Sequence, residues 1–170
     1  MPDPFLRFSL LAAGLLFVTF LLVKLRAPAR LDRHQRKDLK QRLAAAKREA
    51  REAENAEQKA SAWRKAATIA LDELGQPSLA GSYARRAERA DPSDEAAIGI
   101  LVRALRSASR LAALERFLWR RLAAGPQTQG AAYVRAFNEL ISLYEGPLRR
   151  KARAKALKAL APQLMGAERR

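Results

Sequence analysis

Residues 80–93 read AGSYARRAERADPS, and this stretch decides how the chain is predicted to fold. It places small residues at Ala80 and Ala87 and ends with Pro92. Pro126 follows 34 residues after Pro92, and Pro162 follows 36 residues later. A period of this length, in a region with only helical patterns, is typical of repeated pairs of antiparallel helices. The spacing therefore predicts about three helix pairs over residues 61–162.

Apolar residues in each predicted unit are spaced three or four positions apart, as on one face of a helix. The second unit begins near Glu95 and the third near Gln129, with its turn at Gly146 and Pro147. The residues expected to pack are Leu101, Val102, Leu105, Leu114, Leu118 and Leu122 in the second unit, and Tyr133, Ala136, Leu140, Leu143, Ala152, Ala156 and Leu160 in the third. Each pair leaves one face open, which the next pair covers.

The first unit resembles the tetratricopeptide repeat. Ala80, Ala87 and Pro92 occupy the places of that family's small, small and proline residues, and Ala67 and Leu71 match its small and bulky packing positions. Trp63 lies one position from the family's usual tryptophan, Arg121 stands where a small residue is expected, and the turn at Ser107, Ala108 and Ser109 lacks a glycine. The alternative is an ordinary antiparallel bundle, which the same Ala and Leu positions would also build.

The resemblance implies a groove lined by the first helices of successive units. The residues projected onto it are Lys65, Ile69, Arg103, Arg106, Tyr133 and Phe137. A basic centre with an aromatic end would suit an acidic segment carrying apolar side chains. Ile69 takes the place of an asparagine in the family's carboxylate clamp, which puts that clamp in doubt here. Tyr133 and Phe137 are one turn apart, a spacing that equally fits a core position.

Composition supports an all-α fold. The chain has 170 residues, of which 49% are hydrophobic and 29% charged, and only 8 are glycine and 8 proline. Ala, Leu and Arg are good helix formers, and no stretch alternates apolar and polar residues as a half-buried strand does.

Catalysis is not predicted. The chain has no cysteine and a single histidine, His34, which stands among cations and is expected to be solvated. No glycine-rich phosphate loop is present. The acids come singly or as neighbours such as Asp72 and Glu73, which point about 100° apart on a helix. No metal or cofactor site is therefore expected, and the protein is not expected to be an enzyme.

Residues 8–23 carry no charge, and residues 5–25 are interrupted only near their ends, by Arg7 and Lys24. A helix of this length spans roughly 30 Å, the thickness of a bilayer core. The segment is predicted to be a single transmembrane anchor. A cleaved signal peptide is one alternative, because Ala27, Pro28 and Ala29 weakly resemble a cleavage site. A buried core helix is the other.

Cations follow the predicted anchor and are almost absent before it, which predicts a cytoplasmic C-terminal domain at the bacterial inner membrane. The side chains expected to contact anionic head groups are Arg26, Arg30, Arg33, Arg36 and Lys37.

Residues 26–60 are predicted to form a basic juxtamembrane helix that breaks near Ser61, a plausible N-cap. Its apolar stripe consists of Leu39, Leu43, Ala46, Ala50, Ala53 and Ala60. The helix is interpreted as a solvated spacer in preference to a self-association surface. Residues 163–170 are predicted to form a basic tail.

The net charge of +16 attracts anionic lipid, nucleic acid or acidic protein. Residues 149–158 contain six cations and no acid, but no interleaved aromatic residues for stacking bases. The sequence thus favours a non-catalytic scaffold that recruits an acidic partner to a membrane. The alternatives are a permanent structural subunit of a larger membrane complex and a membrane-tethered nucleic-acid binder.

Overall fold

The computed structural model describes residues 33–125 and 130–165. The chain divides into two compact units, Met1–Arg36 and Lys37–Arg170. Within the described ranges the chain is helical throughout and has no strand, which confirms the all-α prediction. None of the described helices is both long and apolar enough to cross a bilayer. The predicted anchor at 5–25, Arg26, Arg30, Pro126 and Gln129, and the end of the predicted tail lie outside the described residues.

Seven helices follow one another along the described residues. They are α1 (Arg33–Glu52), α2 (Ala56–Thr68), which a π-helical turn continues over Ile69–Glu73, α3 (Pro77–Ala90), α4 (Glu95–Ser107), α5 (Leu111–Ala123), α6 (Gly130–Glu145) and α7 (Lys151–Met165).

From α2 onward the helices pack as three successive pairs. Helix α2 packs on α3, α4 on α5, and α6 on α7. The first helix of each later pair also contacts the preceding pair: α4 contacts α2 and α3, and α6 contacts α4 and α5. The first pair meets through alanines that allow close approach, among them Ala66 and Ala84. Larger side chains fill the core further along, including Leu101, Leu114 and Phe137.

A residue in the left-handed conformation lies between the two helices of every pair. Gly75, Ser109 and Arg149 adopt the left-handed conformation, with φ of 62°, 55° and 51°. In each case the N–H of the next residue donates to a carbonyl in the last turn of the first helix, at 2.7, 2.8 and 2.7 Å. This arrangement satisfies a carbonyl that the helix end leaves without a partner. Only the first turn uses glycine, the residue that adopts positive φ without steric cost.

Replacing Ser109 by glycine is therefore expected to stabilise the protein by about 0.5–1 kcal/mol, because it removes the Cβ strain of the left-handed conformation. Urea unfolding of the full chain in a non-ionic detergent would measure the change. Ser107→Gly is the matched control. Ser107 lies in the last turn of α4, where glycine should lower the free energy of unfolding by a similar amount. If both variants lower the free energy of unfolding equally, the left-handed strain at Ser109 would be contradicted.

The break between α1 and α2 lies at residues 53–55, and the predicted break near Ser61 is wrong. Ser61 lies inside α2. Asn55 is the cap: its side-chain oxygen accepts a hydrogen bond from the Gln58 N–H at 2.8 Å. Asparagine competes well with serine at this position, and the acidic Glu57 suits the first turn of the helix.

Helix α1 belongs to the packed unit, so its interpretation as a solvated spacer is also corrected. Leu43, Ala46 and Ala50 of the predicted stripe are buried in the hydrophobic core. Ion pairs with the α2 region flank this contact, from Arg42 to Glu73 at 2.6 Å and from Lys65 to Glu49 at 3.2 Å. The stripe is thus covered by the chain's own helices.

Helix α7 buries a different face from the one predicted. Ala152, Ala156 and Leu160 are exposed, whereas Ala154 and Leu157 are buried. Both sets have helical spacing and both are flanked by cations, so periodicity could not separate them. The helix also continues through Pro162 to Met165, although proline lacks the N–H that would bond to the preceding turn.

Candidate binding surfaces

Two surfaces could bind a partner. We call the exposed sides of α2, α4 and α6 the first-helix surface; it carries the cations predicted to line a groove. We call a depression over α3, α5 and α7 the second-helix cavity; its lining residues are Arg85, Ala113, Glu115, Arg116, Phe117, Trp119, Arg120 and Arg153.

The predicted cations of the first-helix surface are bound by acids of the same chain. Arg103 of α4 donates to both carboxylate oxygens of Asp72, at 3.1 and 3.2 Å. Arg106 donates to Glu139 at 2.9 Å and to the Ser142 hydroxyl at 3.2 Å, both in α6. Lys65 pairs with Glu49 as described above. These pairs join neighbouring helices and leave the surface less basic than the sequence suggested.

Tyr133 and Phe137 do not lie on the first-helix surface. Tyr133 is 2% exposed and Phe137 is 1% exposed, so the prediction that they line a groove is corrected. Their one-turn spacing puts both on the buried face of α6. Burial also raises the pKa of the Tyr133 hydroxyl, because the phenolate would lose its hydration.

Arg135, on the same helix, lies near the predicted groove residues and was not identified from the sequence. Its guanidinium pairs with Glu95 at 3.0 Å and lies against the backbone of Gly99 in α4. A Cβ at Gly99 would come within 2.6 Å of the Arg135 Nη2 atom. A glycine inside a helix was the signal that could have revealed this close approach.

The other cations that the sequence predicted to contact lipid head groups or a partner are dispersed over the described helices. Arg36 and Lys37 are exposed on α1, and Arg33 is the first residue of that helix. In the basic segment 149–158, Arg150 and Arg153 pair with Glu115 at 2.8 and 3.4 Å, and Lys158 pairs with Glu145 at 2.6 Å. Exposed pairs of this kind contribute little to stability, so these side chains could exchange partners readily.

The second-helix cavity has a volume of about 640 Å³ and is lined by four arginines, of which Arg153 pairs with Glu115. Arg85 comes from α3, and Arg116 and Arg120 come from successive turns of α5. Within the described ranges, none of these three guanidiniums forms an ion pair. Like charges one helical turn apart repel each other. An anion between them would remove that repulsion.

An indole held in a fixed position lies at the same cavity. Trp119 is 44% exposed, which is unusual for a large apolar side chain in the described part of the chain. Its Nε1 donates to the Tyr144 hydroxyl at 2.9 Å, and that hydroxyl donates to Glu115 at 2.7 Å. Because Tyr144 is fully buried, the hydrogen bond ties the exposed indole to the core. The Trp119 ring is therefore pre-organised for contact.

Beneath this surface, the buried Arg121 connects α5 to the preceding pair. It is 6% exposed, pairs with Glu88 of α3 at 3.1 Å and donates to the carbonyl of Pro92. Burial lowers the pKa of Arg121 from its ordinary value, and the charges of Glu88 and Asp91 oppose that shift. The arginine that departs from the repeat pattern is thus a structural contact between units.

The loop before α4 contributes a second contact of this kind. Asp94 caps α4 by accepting from the Ala97 N–H at 3.1 Å, and it also accepts from Arg64 of α2 at 2.7 Å. Ser93 donates its N–H and hydroxyl to Asp91 instead of acting as the cap.

No family model matches the chain, and no curated protein or solved structure matches it either. Across residues 33–125 and 130–165, no group of three or more His, Asp or Glu side chains is placed to hold a metal ion.

Proposed function

We propose that this protein is a non-catalytic interaction scaffold, built on a tetratricopeptide-like stack of helix pairs, that recruits an acidic partner. The observation that carries the proposal is the cluster of Arg85, Arg116 and Arg120, which have no acidic partner among the described residues, beside the exposed Trp119. Arginine and tryptophan are the residues that most often dominate binding energy in protein interfaces.

The stack itself supports the proposal. The first helix of each later pair contacts both helices before it, and small residues allow close packing in the first pair. In such stacks each unit contacts only its neighbours, which produces extended surfaces suited to peptides and partner helices. The residue matches at Ala80, Ala87 and Pro92 favour the tetratricopeptide type over an ordinary bundle.

We further propose that residues 5–25 hold the scaffold at the bacterial inner membrane, with the helix pairs in the cytoplasm. The support is the apolar run between Phe5 and Leu25 and the excess of cations after it. A compartment-sensitive reporter fused after Arg170 should give a membrane-bound, cytoplasmic signal. A periplasmic signal would contradict the orientation, and a soluble fusion would contradict the anchor.

Binding of the full chain in non-ionic detergent to a short acidic peptide with one aromatic residue tests recruitment. The matched control peptide has Asn and Gln in place of every Asp and Glu. We expect the acidic peptide alone to bind, with affinity falling as salt is added. A chain that binds neither peptide, or that stays aggregated without other proteins, would favour a permanent structural subunit. A much stronger, steeply salt-dependent affinity for single-stranded nucleic acid would favour the nucleic-acid binder.

A further inference from the structure

We propose that the partner's acidic segment docks in the second-helix cavity, with an apolar side chain against Trp119 and carboxylates on Arg85, Arg116 and Arg120. This inference rests on the proposed function and specifies its site. It moves the site from the first helices, where the repeat resemblance puts it, to the second helices.

The arginines of the two surfaces differ in whether an acid of the described chain already binds them. On the first-helix surface, Arg103 and Arg106 already bind carboxylates of neighbouring helices. An incoming acidic segment would have to displace Asp72 and Glu139, so its net gain there would be small. In the second-helix cavity, Arg116 and Arg120 bind no carboxylate of the described chain. An acidic ligand gains two charge-assisted contacts there without breaking existing pairs.

The acidic side chain in the described cavity lining, Glu115, is held by other residues of the chain. Glu115 accepts hydrogen bonds from Tyr144, Arg150 and Arg153, at 2.7, 2.8 and 3.4 Å. Its negative charge is offset by two guanidiniums and fixed at one side of the cavity. The carboxylate therefore orients Trp119 through Tyr144, and it does not neutralise Arg116 or Arg120, which have no ion pair with it.

The size and lining of the cavity favour one class of ligand. A volume of about 640 Å³ lies within the range of pockets that enclose compact ligands. Binding of single-stranded nucleic acid uses several aromatic side chains along a basic track, and this cavity presents one tryptophan. A short peptide that combines carboxylates with one apolar side chain fits both features.

Variants of the full chain in non-ionic detergent test the site, with the acidic peptide described above as the probe. Replacing both Arg116 and Arg120 by glutamine should weaken binding by about tenfold or more, since two charge-assisted contacts are lost. The matched control replaces Arg103 and Arg106 by glutamine, which removes the same charge from the first-helix surface. That control should change the affinity by less than about twofold.

Tryptophan fluorescence supplies a readout specific to the site. The chain has 2 tryptophans, and Trp63 is only 5% exposed. Trp63 also stacks on Tyr83, with ring centroids 5.7 Å apart. Iodide quenching should therefore report on Trp119, and bound peptide should protect it. A Trp119→Ala variant should lose peptide affinity while keeping its far-UV circular dichroism, which separates loss of contact from loss of fold.

The outcomes distinguish this inference from the proposed function. Equal weakening by the two double variants would indicate binding by net charge and overturn the cavity assignment. Weakening by the Arg103 and Arg106 variant alone would place the site on the first helices, which overturns this inference and leaves the scaffold role standing. If the acidic peptide does not bind at all, both fail. Displacement of the peptide by anionic vesicles or nucleic acid at far lower concentration would assign the cavity to that ligand instead.

Discussion

Replacing Phe137 by alanine is expected to lower the free energy of unfolding by about 3–5 kcal/mol. The side chain is 1% exposed and belongs to the core cluster around α4–α7, so truncation removes buried apolar contacts and leaves a cavity. In a domain of this size the melting temperature should fall by roughly 10–20 °C. Urea and thermal unfolding of the full chain in detergent, followed by far-UV circular dichroism, would measure both effects.

The neighbouring Asn138 provides the matched control, because it is exposed on the same helix. Asn138→Ala should change the free energy of unfolding by less than about 0.5 kcal/mol. The comparison also separates the two interpretations of Phe137. If Phe137 lined a groove, its truncation would lower the affinity for the partner and leave the stability of the protein unchanged. A Phe137→Ala variant as stable as the wild type would therefore contradict its place in the core.

Replacing Arg121 by alanine is expected to destabilise the protein by about 3 kcal/mol. The variant leaves Glu88, which is largely buried, without its partner and removes the donor to the Pro92 carbonyl. Loss of one member of a buried pair costs more than the pair contributes, because the other charge remains desolvated. We expect the melting temperature of the full chain to fall by roughly 10 °C.

Two further variants show whether the loss comes from the orphaned charge. Arg120→Ala, one residue away on the exposed side of α5, should change stability by less than about 0.5 kcal/mol. Replacing both Arg121 and Glu88 by methionine should recover most of the loss, since no unpaired charge then remains buried. If the double variant is as unstable as Arg121→Ala, steric packing and not charge would explain the effect.

Arg121 and Asp94 both make contacts between helix pairs that are distant in sequence. Arg121 joins α5 to α3 and its following loop, and Asp94 joins the start of α4 to Arg64 in α2. Contacts of this kind set how one pair sits on the next.

The helical pairs could be predicted from sequence because their signals are local. Helical spacing and the small residues at Ala80 and Ala87 indicated the helices and their order, whereas Pro126 lies outside the described residues and Pro162 lies inside α7. The buried face of a helix could not be predicted where two apolar stripes had the same helical spacing. In α7, Ala152 with Ala156 and Ala154 with Leu157 both have helical spacing, and packing against α6 chose the second stripe.

The sequence by itself thus determined an all-helical chain, the positions of most helices and an excess of positive charge. Only the tertiary structure decided which charges are paired and which aromatic side chains are buried. Helical periodicity acts over three or four residues, whereas Arg103 and Asp72 are 31 residues apart and meet only through the stacking of two helix pairs. Because that stacking register is a property of the whole core, neither the paired arginines of the first helices nor the exposed Trp119 could be recognised from spacing alone.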